Sequence, residues 1–228
     1  MAVRYRIEYD GEYVIVDNTI RDGKRHQQRE WIENPIQNQH ISGRAAVIGN
    51  GNSRRDNRTT GFNLKDCIEQ HAGWHLGRKR LQSYGSEGCW REMQCDFYVE
   101  FDKDKLQELK QENYQEVVSV YTNARNCIDD PGQYYLVPYG VRGNSVAVAT
   151  WLACFDGHTE IFLIGVDALD EKDEPLVKKI ESMNKVISEY TSVNFYYVSD
   201  GAKAHDMWRN HANFQQQSYA EFISYCDI

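Results

Sequence analysis

The sequence contains no apolar run long enough to cross a membrane. A membrane-spanning helix needs about 20 consecutive apolar residues, and no stretch of the 228 residues approaches that length. The first residues, MAVRYRIEYDGEY, also lack the apolar core of a secretory signal. We therefore expect a cytoplasmic protein without a membrane partner.

Closely spaced cysteine pairs are missing as well. The six cysteines include no C-x-x-C pair, and a chain of this size folds without a disulfide framework, so we expect reduced thiols. Cys89 and Cys95 are the nearest to each other, but a zinc site would need a second close pair of ligands. The cysteines therefore predict no zinc site.

Basic residues are not in excess. Lysine and arginine number 26 against 34 acidic residues, which gives a net charge of -8. A protein with a net negative charge binds the phosphate backbone of a nucleic acid poorly. Only a local basic groove could bind a nucleic acid. We therefore expect no nucleic-acid partner.

The pattern of the chain changes near residue 40. In residues 4–17, apolar and polar residues alternate on both sides of Asp10-Gly11, which predicts a β-hairpin. Asp22-Gly23 marks a second turn, and the residues after it are typical of a third strand. We assign residues 1–40 to an N-terminal β-hairpin extension. Its edge strand offers a surface for a second copy of the chain, so a homo-oligomer is one open alternative.

From residue 41 to residue 228, strand, turn and helix patterns alternate. This order predicts an α/β fold with a Rossmann-like, mostly parallel sheet flanked by helices. The predicted strands, rich in β-branched and aromatic residues, are 45–49, 80–85, 96–101, 116–121, 160–165 and 193–198. The predicted helices are 63–72, 102–113, 145–155, 174–190 and 218–226, with Asn63 and Ser218 as N-caps.

A glycine turn, GNGNSR at residues 49–54, follows the first strand of this sheet. Glycines let the backbone approach a ligand closely, and open α/β sheets bind ligands at such strand ends. Arg54 stands where a dinucleotide site needs a third glycine, and no Walker sequence closes the loop, which disfavours NAD and FAD. The side chains of Asn50, Asn52 and Ser53 have hydrogen-bond donors and acceptors that suit a ribose, a base edge or a phosphate. The alternative is a tight turn whose side chains bond only to local backbone.

Two segments together resemble the bacterial sialyltransferases of glycosyltransferase family 42 and their uncharacterised, often phage-encoded relatives. The first is GNGNS at residues 49–53. The second runs from GNSVAVATWLA at 143–153 to HTEIFLIGVD at 158–167. The family has a G-N-G-P-S turn after its first strand, a later helix rich in small residues, and a strand that ends in G-x-D. The order and separation of these segments match.

This resemblance implies a modified Rossmann fold that binds a CMP-sugar as donor substrate and transfers the sugar without a metal ion or other cofactor. It places Asn50 and Gly51 against the phosphate and ribose, and Asn144 and Ser145 beside the cytidine. Asp167 matches the structural acid at the strand exit. The nucleotide pocket that the resemblance implies is lined by Gly49, Asn50, Gly51, Ser53, Asn144 and Ser145.

The sequence departs from the family after the second strand and after the G-x-D strand. YGSEG at residues 84–88 replaces a cysteine-asparagine pair. Glu87 is therefore an acceptor for ribose hydroxyls, as in other Rossmann proteins, a charge that repels a CMP phosphate, or an exposed loop acid. The family's lid and its histidine base have no counterpart in the matching place. The later histidines, His205 and His211, are candidates for a base that deprotonates an acceptor near pH 7, or are surface residues.

Two alternatives stay open beside a glycosyltransferase-like protein that binds a nucleotide sugar at the glycine turn. Asp102-Lys103-Asp104 has the spacing with which metal-dependent sugar transferases hold a divalent ion. The other alternative is a non-catalytic binding or structural protein that keeps the Rossmann-like fold and has lost the lid and the base. The sequence leaves catalysis open.

Overall fold

The computed structural model describes residues 3–6, 11–33, 43–55, 63–72, 81–170 and 172–226. These residues form two β-sheets, one of three strands and one of eight. The larger sheet is parallel and flanked by helices, so the predicted α/β, Rossmann-like fold is confirmed.

The smaller sheet is antiparallel. Its strands are β1 (Val3–Arg6), β2 (Gly11–Arg21) and β3 (Lys24–Glu33). Asp22 and Gly23 connect β2 to β3 with φ angles of 51° and 71°. Positive φ at both positions is what a two-residue hairpin turn requires, so this predicted turn is confirmed. The turn predicted at Asp10-Gly11 lies partly outside the described residues, and Gly11 belongs to β2.

The larger sheet determines where a ligand can bind. Its strands are β4 (Arg44–Ile48), β5 (Gln82–Ser86), β6 (Phe97–Val99), β7 (Ser119–Thr122), β8 (Tyr135–Leu136), β9 (Glu160–Ile164), β10 (Asn194–Val198) and β11 (Phe214–Gln217). Their order across the sheet is β11-β10-β9-β4-β5-β6-β7-β8. The chain builds outward from β4 to β8 and then returns to place β9 on the other side of β4. Open α/β sheets bind ligands at such a reversal of strand order.

Seven α-helices lie within the described residues. They are α1 (Leu64–Ala72), α2 (Lys103–Gln111), α3 (Ala124–Asp129), α4 (Ser145–Asp156), α5 (Val177–Glu189), α6 (Asp206–Arg209) and α7 (Tyr219–Cys226). None of these described helices has the length and apolar character needed to cross a bilayer.

Short polar side chains start the helices where the sequence predicts them. Asn63 accepts a hydrogen bond from the amide of Lys65 at 3.0 Å and so caps α1. At α7, the hydroxyl of Ser218 accepts from the amide of Glu221 at 3.3 Å, and the carboxylate of Glu221 accepts from the amide of Ser218 at 2.7 Å. This reciprocal pair is a capping box. Both predicted N-caps are confirmed.

Hydrophobic layers cover both faces of the larger sheet. Because side chains alternate along a strand, Ala45 and Val47 of β4 face the layer with α4 and α5, whereas Ala46 and Ile48 face the layer with α1, α2 and α7. Every residue of α4 from 146 to 156 is buried. A polar ligand would therefore contact the sheet at the ends of its strands.

Candidate functional site

A cavity of about 600 Å³ opens at the carboxyl edge of the larger sheet, between the ends of β4 and β9. Its wall includes Asn50, Gly51 and Ser53 of the glycine turn, together with Glu87, which follows β5. Small-molecule sites in proteins have volumes of roughly 300–1,000 Å³. The structure thus brings most of the predicted nucleotide-binding residues to one cavity at the reversal of strand order.

The glycines of the turn allow it to pack against the end of β9. A Cβ on Gly49 would lie 2.4 Å from the carbonyl oxygen of Gly165, and a Cβ on Gly51 would lie 2.4 Å from Cγ of Asp167. The amide of Gly49 donates to the carbonyl of Ile164 at 2.9 Å, and that of Gly51 donates to the carbonyl of Gly165 at 2.8 Å. Both glycines are thus required by contacts within the protein, and their amides already have partners there.

Asp167 fixes the end of the turn. One carboxylate oxygen accepts a hydrogen bond from the amide of Ser53 at 3.0 Å. The other accepts from the hydroxyl of Ser53 and from the hydroxyl of Tyr197, the latter at 3.1 Å. Hydrogen bonds to a charged acceptor are stronger than those between neutral groups. These contacts agree with the structural role that the resemblance implies for Asp167.

Arg54, at the place of the missing third glycine, is buried with 4% exposure. Its guanidinium donates to the side-chain oxygen of Asn50 at 2.9 Å and forms an ion pair with Glu92 at 2.8 Å. The turn continues into a short 3-10 helix, Asn52–Arg55, rather than directly into an α-helix. A dinucleotide fingerprint opens a helix at this point. The buried Arg54 and the 3-10 helix at this point therefore argue against a dinucleotide-binding site.

A buried ion pair lies in the wall of the cavity. Nζ of Lys179 is 2.9 Å from Oε2 of Glu87, and the two side chains are 8% and 16% exposed. The same Oε2 would lie 3.3 Å from a Cβ on Gly49, so the carboxylate reaches back to the glycine turn. Glu87 has a φ of 57°, which is uncommon for a residue other than glycine. Glu87 is therefore not an exposed loop acid, and Lys179 is a residue that sequence reasoning missed.

The described part of the cavity wall carries charges of both signs. Its lysines and acids are Lys105, Lys179, Lys203, Glu87, Asp167, Asp170 and Asp173. These three positive and four negative groups give a net charge of −1 when all are ionised. Such a wall has no strong field for an anion that bears several charges.

Comparisons with known proteins add no relative. No family model matches the chain, and searches of curated proteins and of solved structures found no match. The similarity to family 42 therefore rests on the motifs alone, and the function has to be inferred from the geometry of the cavity.

Asn144 and Ser145 lie at the start of α4 and do not belong to this wall. Asn144 caps α4 by accepting from the amide of Val146 at 3.0 Å, and its own amide donates to Oγ of Ser182 at 3.3 Å. Ser182 belongs to α5, as does Lys179. The start of α4 therefore contacts α5, and the structure does not bring Asn144 or Ser145 to the cavity at the glycine turn.

A second cavity, also of about 600 Å³, opens beside the start of α4. It lies past the ends of β6, β7 and β8, and its lining is mainly apolar, with two arginines. The side chains and loop residues that define it include Phe101, Arg125, Leu136, Val141, Arg142 and Gly143.

His205 and His211 take part in packing around α6. Nδ1 of His205 accepts from the amide of Met207 at 3.2 Å, which makes His205 the N-cap of α6. Nε2 of His211 lies 2.8 Å from the side-chain oxygen of Asn184 on α5. Neither histidine lines the cavity. The structure therefore does not place either predicted base beside the glycine turn.

The aspartates of the D-x-D sequence act at a helix start. Asp102 accepts from the amides of Asp104 and Lys105, at 2.9 and 3.2 Å, and so caps α2. Acids suit this position because of the helix dipole. Among the residues that the structure describes, no group of three or more histidine, cysteine or acidic side chains is placed to hold a metal ion.

Proposed function

We propose that the protein binds a nucleotide sugar, with a CMP-sugar favoured, in the cavity between the ends of β4 and β9. The observation that carries this proposal is that the glycine turn and Glu87 meet at the point where the strand order reverses. Nucleotides bind at this point in open α/β proteins.

Glu87 accepts hydrogen bonds from the ribose hydroxyls in this proposal. It follows β5, the strand next to β4, and its carboxylate reaches the turn after β4. Other Rossmann proteins place the acid that binds ribose after the corresponding strand. The exposed amides of Asn50 and Asn52 supply further donors and acceptors for the nucleotide.

The charge of the wall bears on the number of phosphates at the glycine turn. The phosphodiester of a CMP-sugar bears one negative charge there and the diphosphate of other donors bears two, whereas the carboxylate of a sialic acid is a separate charge on the sugar. The described lysines and acids of the wall sum to −1, so a second phosphate charge at the turn is less favourable unless a cation accompanies it.

A thermal-shift series tests the proposal. The ligands are CMP, CDP, UDP, GDP, NAD and CMP-sialic acid, each with and without manganese. A ligand at 100 times its dissociation constant adds about 2.7 kcal/mol, which raises the Tm of a domain of this size by roughly 5–10 °C. We expect stabilisation by CMP and CMP-sialic acid without metal.

Asn50→Ala should abolish this stabilisation, because Asn50 lies in the cavity wall. Asn194→Ala is the matched control, since Asn194 is exposed and begins β10 at the opposite edge of the sheet. A response to UDP or GDP that requires manganese would move the site to Asp102 and Asp104. No response to any nucleotide would overturn the proposal.

The positions of His205 and His211 favour a second candidate, a protein that binds the nucleotide sugar without turning it over. Both histidines make their hydrogen bonds outside the cavity wall. Release of CMP from CMP-sialic acid faster than in the absence of protein would exclude this second candidate, since a binding protein does not turn the donor over.

A further inference from the structure

Lys179 lies on the apolar face of α5. Met183 and Val186 follow it at four and seven positions, the spacing of one helix face, and both are buried. Lysine is almost never buried without a partner. Here the partner is Glu87, which follows β5 and also lines the cavity.

The ion pair between Lys179 and Glu87 is not explained by the stability of the fold. Removing two charges from water offsets most of their attraction, so a buried pair adds little to stability. Glu87 also holds a left-handed backbone conformation with a φ of 57°. Unfavourable features that coincide in a cavity wall are typical of functional sites.

We propose that Lys179 binds the phosphate of the nucleotide, and that the carboxylate of Glu87 holds Lys179 in place until the phosphate replaces this carboxylate as its partner. This inference rests on the proposed nucleotide function and deepens it. In the structure, Nζ of Lys179 lies 2.9 Å from Glu87. An entering phosphate oxygen accepts a hydrogen bond from Nζ, and the carboxylate of Glu87 is then released to accept from the ribose hydroxyls.

The location of Lys179 on α5 suits this role. It is the third residue of a helix of 13 residues, and Leu176 at the same helix end also lines the cavity. The positive end of the helix dipole therefore acts on a phosphate held by Lys179. The other described lysines of the wall, Lys105 and Lys203, are more exposed to water, which weakens their pull on an anion.

The test compares CMP with cytidine, which differ by the phosphate alone. Isothermal titration of the full chain gives both dissociation constants, and their ratio isolates the contribution of the phosphate. Lys179→Met should lower the affinity for CMP about tenfold or more, equivalent to about 1.4 kcal/mol, and leave cytidine little changed. Lys203→Met is the matched control, because it removes the same charge from the same cavity, and it should change the ratio far less.

Glu87→Gln gives a prediction of opposite sign. The neutral amide competes less strongly for the ammonium group, so the preference for CMP over cytidine should increase. Binding of both ligands should weaken by a common factor, since the ribose loses a charged acceptor.

The double variant Lys179→Met/Glu87→Gln guards against misfolding. Lys179→Met alone leaves Glu87 charged without its partner in a largely buried place, which can destabilise the fold. The double variant removes both charges, and its ratio of CMP to cytidine affinity should be lower than that of the unchanged protein.

An unchanged ratio in the folded Lys179 variants, with CMP binding retained, would overturn the role of Lys179 and leave the proposed function standing. A fall in the ratio with Lys203→Met instead would place the phosphate elsewhere and also overturn that role. If neither CMP nor cytidine binds to the unchanged protein, both proposals are wrong.

Discussion

The hydroxyl of Tyr219 lies 3.2 Å from the carbonyl oxygen of Ser53, to which it donates a hydrogen bond across 166 positions of sequence. The same hydroxyl is 3.1 Å from the carbonyl of Arg54. Tyr219 is the first residue of α7 and is fully buried. The last described helix therefore holds the glycine turn in place through the side chain of Tyr219.

Removing this hydroxyl should loosen the turn. We expect Tyr219→Phe to lower the free energy of unfolding by about 0.5–1.5 kcal/mol, the contribution of one hydrogen bond, and to weaken CMP binding in parallel. Urea denaturation and calorimetric titration measure the two effects. An unchanged free energy of unfolding would show that the contact between Tyr219 and the turn adds nothing to stability.

Gly51→Ala tests the packing of the turn against the end of β9. The new Cβ would lie 2.4 Å from Cγ of Asp167 and 2.7 Å from the backbone oxygen of Gly165. Backbone atoms cannot move aside cheaply, and overpacking of this kind costs typically about 1–3 kcal/mol or more. Gly143→Ala is the control, because a Cβ on Gly143 would lie 3.3 Å from its nearest neighbours, Cβ and Oγ of Ser182. Equal losses in urea denaturation would contradict this interpretation.

Glu100 should make stability depend on pH. Burial raises the pKa of its carboxyl group, although the amides of Phe101 and Asp102 donate to it at 2.9 and 3.0 Å. Because the pKa is higher in the folded state, the protonated group favours the folded state. This stabilisation is fully present below the unfolded pKa and is lost as pH rises through the folded pKa.

Glu100→Gln removes that proton equilibrium. The variant should therefore be more stable than the unchanged protein at about pH 7. The difference should shrink toward about pH 4, where the carboxyl group is largely protonated in both the folded and the unfolded state. Urea denaturation at several pH values measures this trend. A difference that grows on acidification would contradict the sign.

The histidine variants separate binding from catalysis. His205→Ala and His211→Ala should each change the free energy of CMP binding by less than about 0.5 kcal/mol, as substitutions away from a site do, since neither histidine lines the cavity. If the unchanged protein releases CMP from CMP-sialic acid and one variant loses that activity while still binding CMP, that histidine is catalytic. The non-catalytic candidate would then be wrong.

Most strands of the larger sheet could be predicted because buried parallel strands need β-branched and aromatic residues. The edge strands were missed for the same reason. Phe214–Gln217 reads FQQQ and Tyr135–Leu136 has only two residues, so neither has a strand pattern. The strand predicted at 116–121 begins at Ser119, and Val117 is 66% exposed just after a 3-10 helix. Packing, not local preference, determined these boundaries.

The site was predictable where it depends on the ends of neighbouring strands. The glycine turn and Glu87 each follow a strand of a parallel sheet, so they share one edge. The position of Asn144 relative to the cavity depends instead on how α4 packs beside α5, which no local pattern specifies. Lys179 did leave a signal, because a charged residue stands at the helical spacing of buried Met183 and Val186. A lysine on the apolar face of an amphipathic helix indicates a buried partner.

The amide hydrogen bonds that join the glycine turn to the end of β9 have a consequence for how a ligand is received. Gly49 and Gly51 donate to the carbonyls of Ile164 and Gly165, so contacts within the protein hold the backbone of the turn in place. In the proposed function, association with a nucleotide therefore does not have to order this backbone, which removes one entropic cost of binding. The amide protons of both glycines should exchange with deuterated solvent about as slowly as those of β4, with or without CMP.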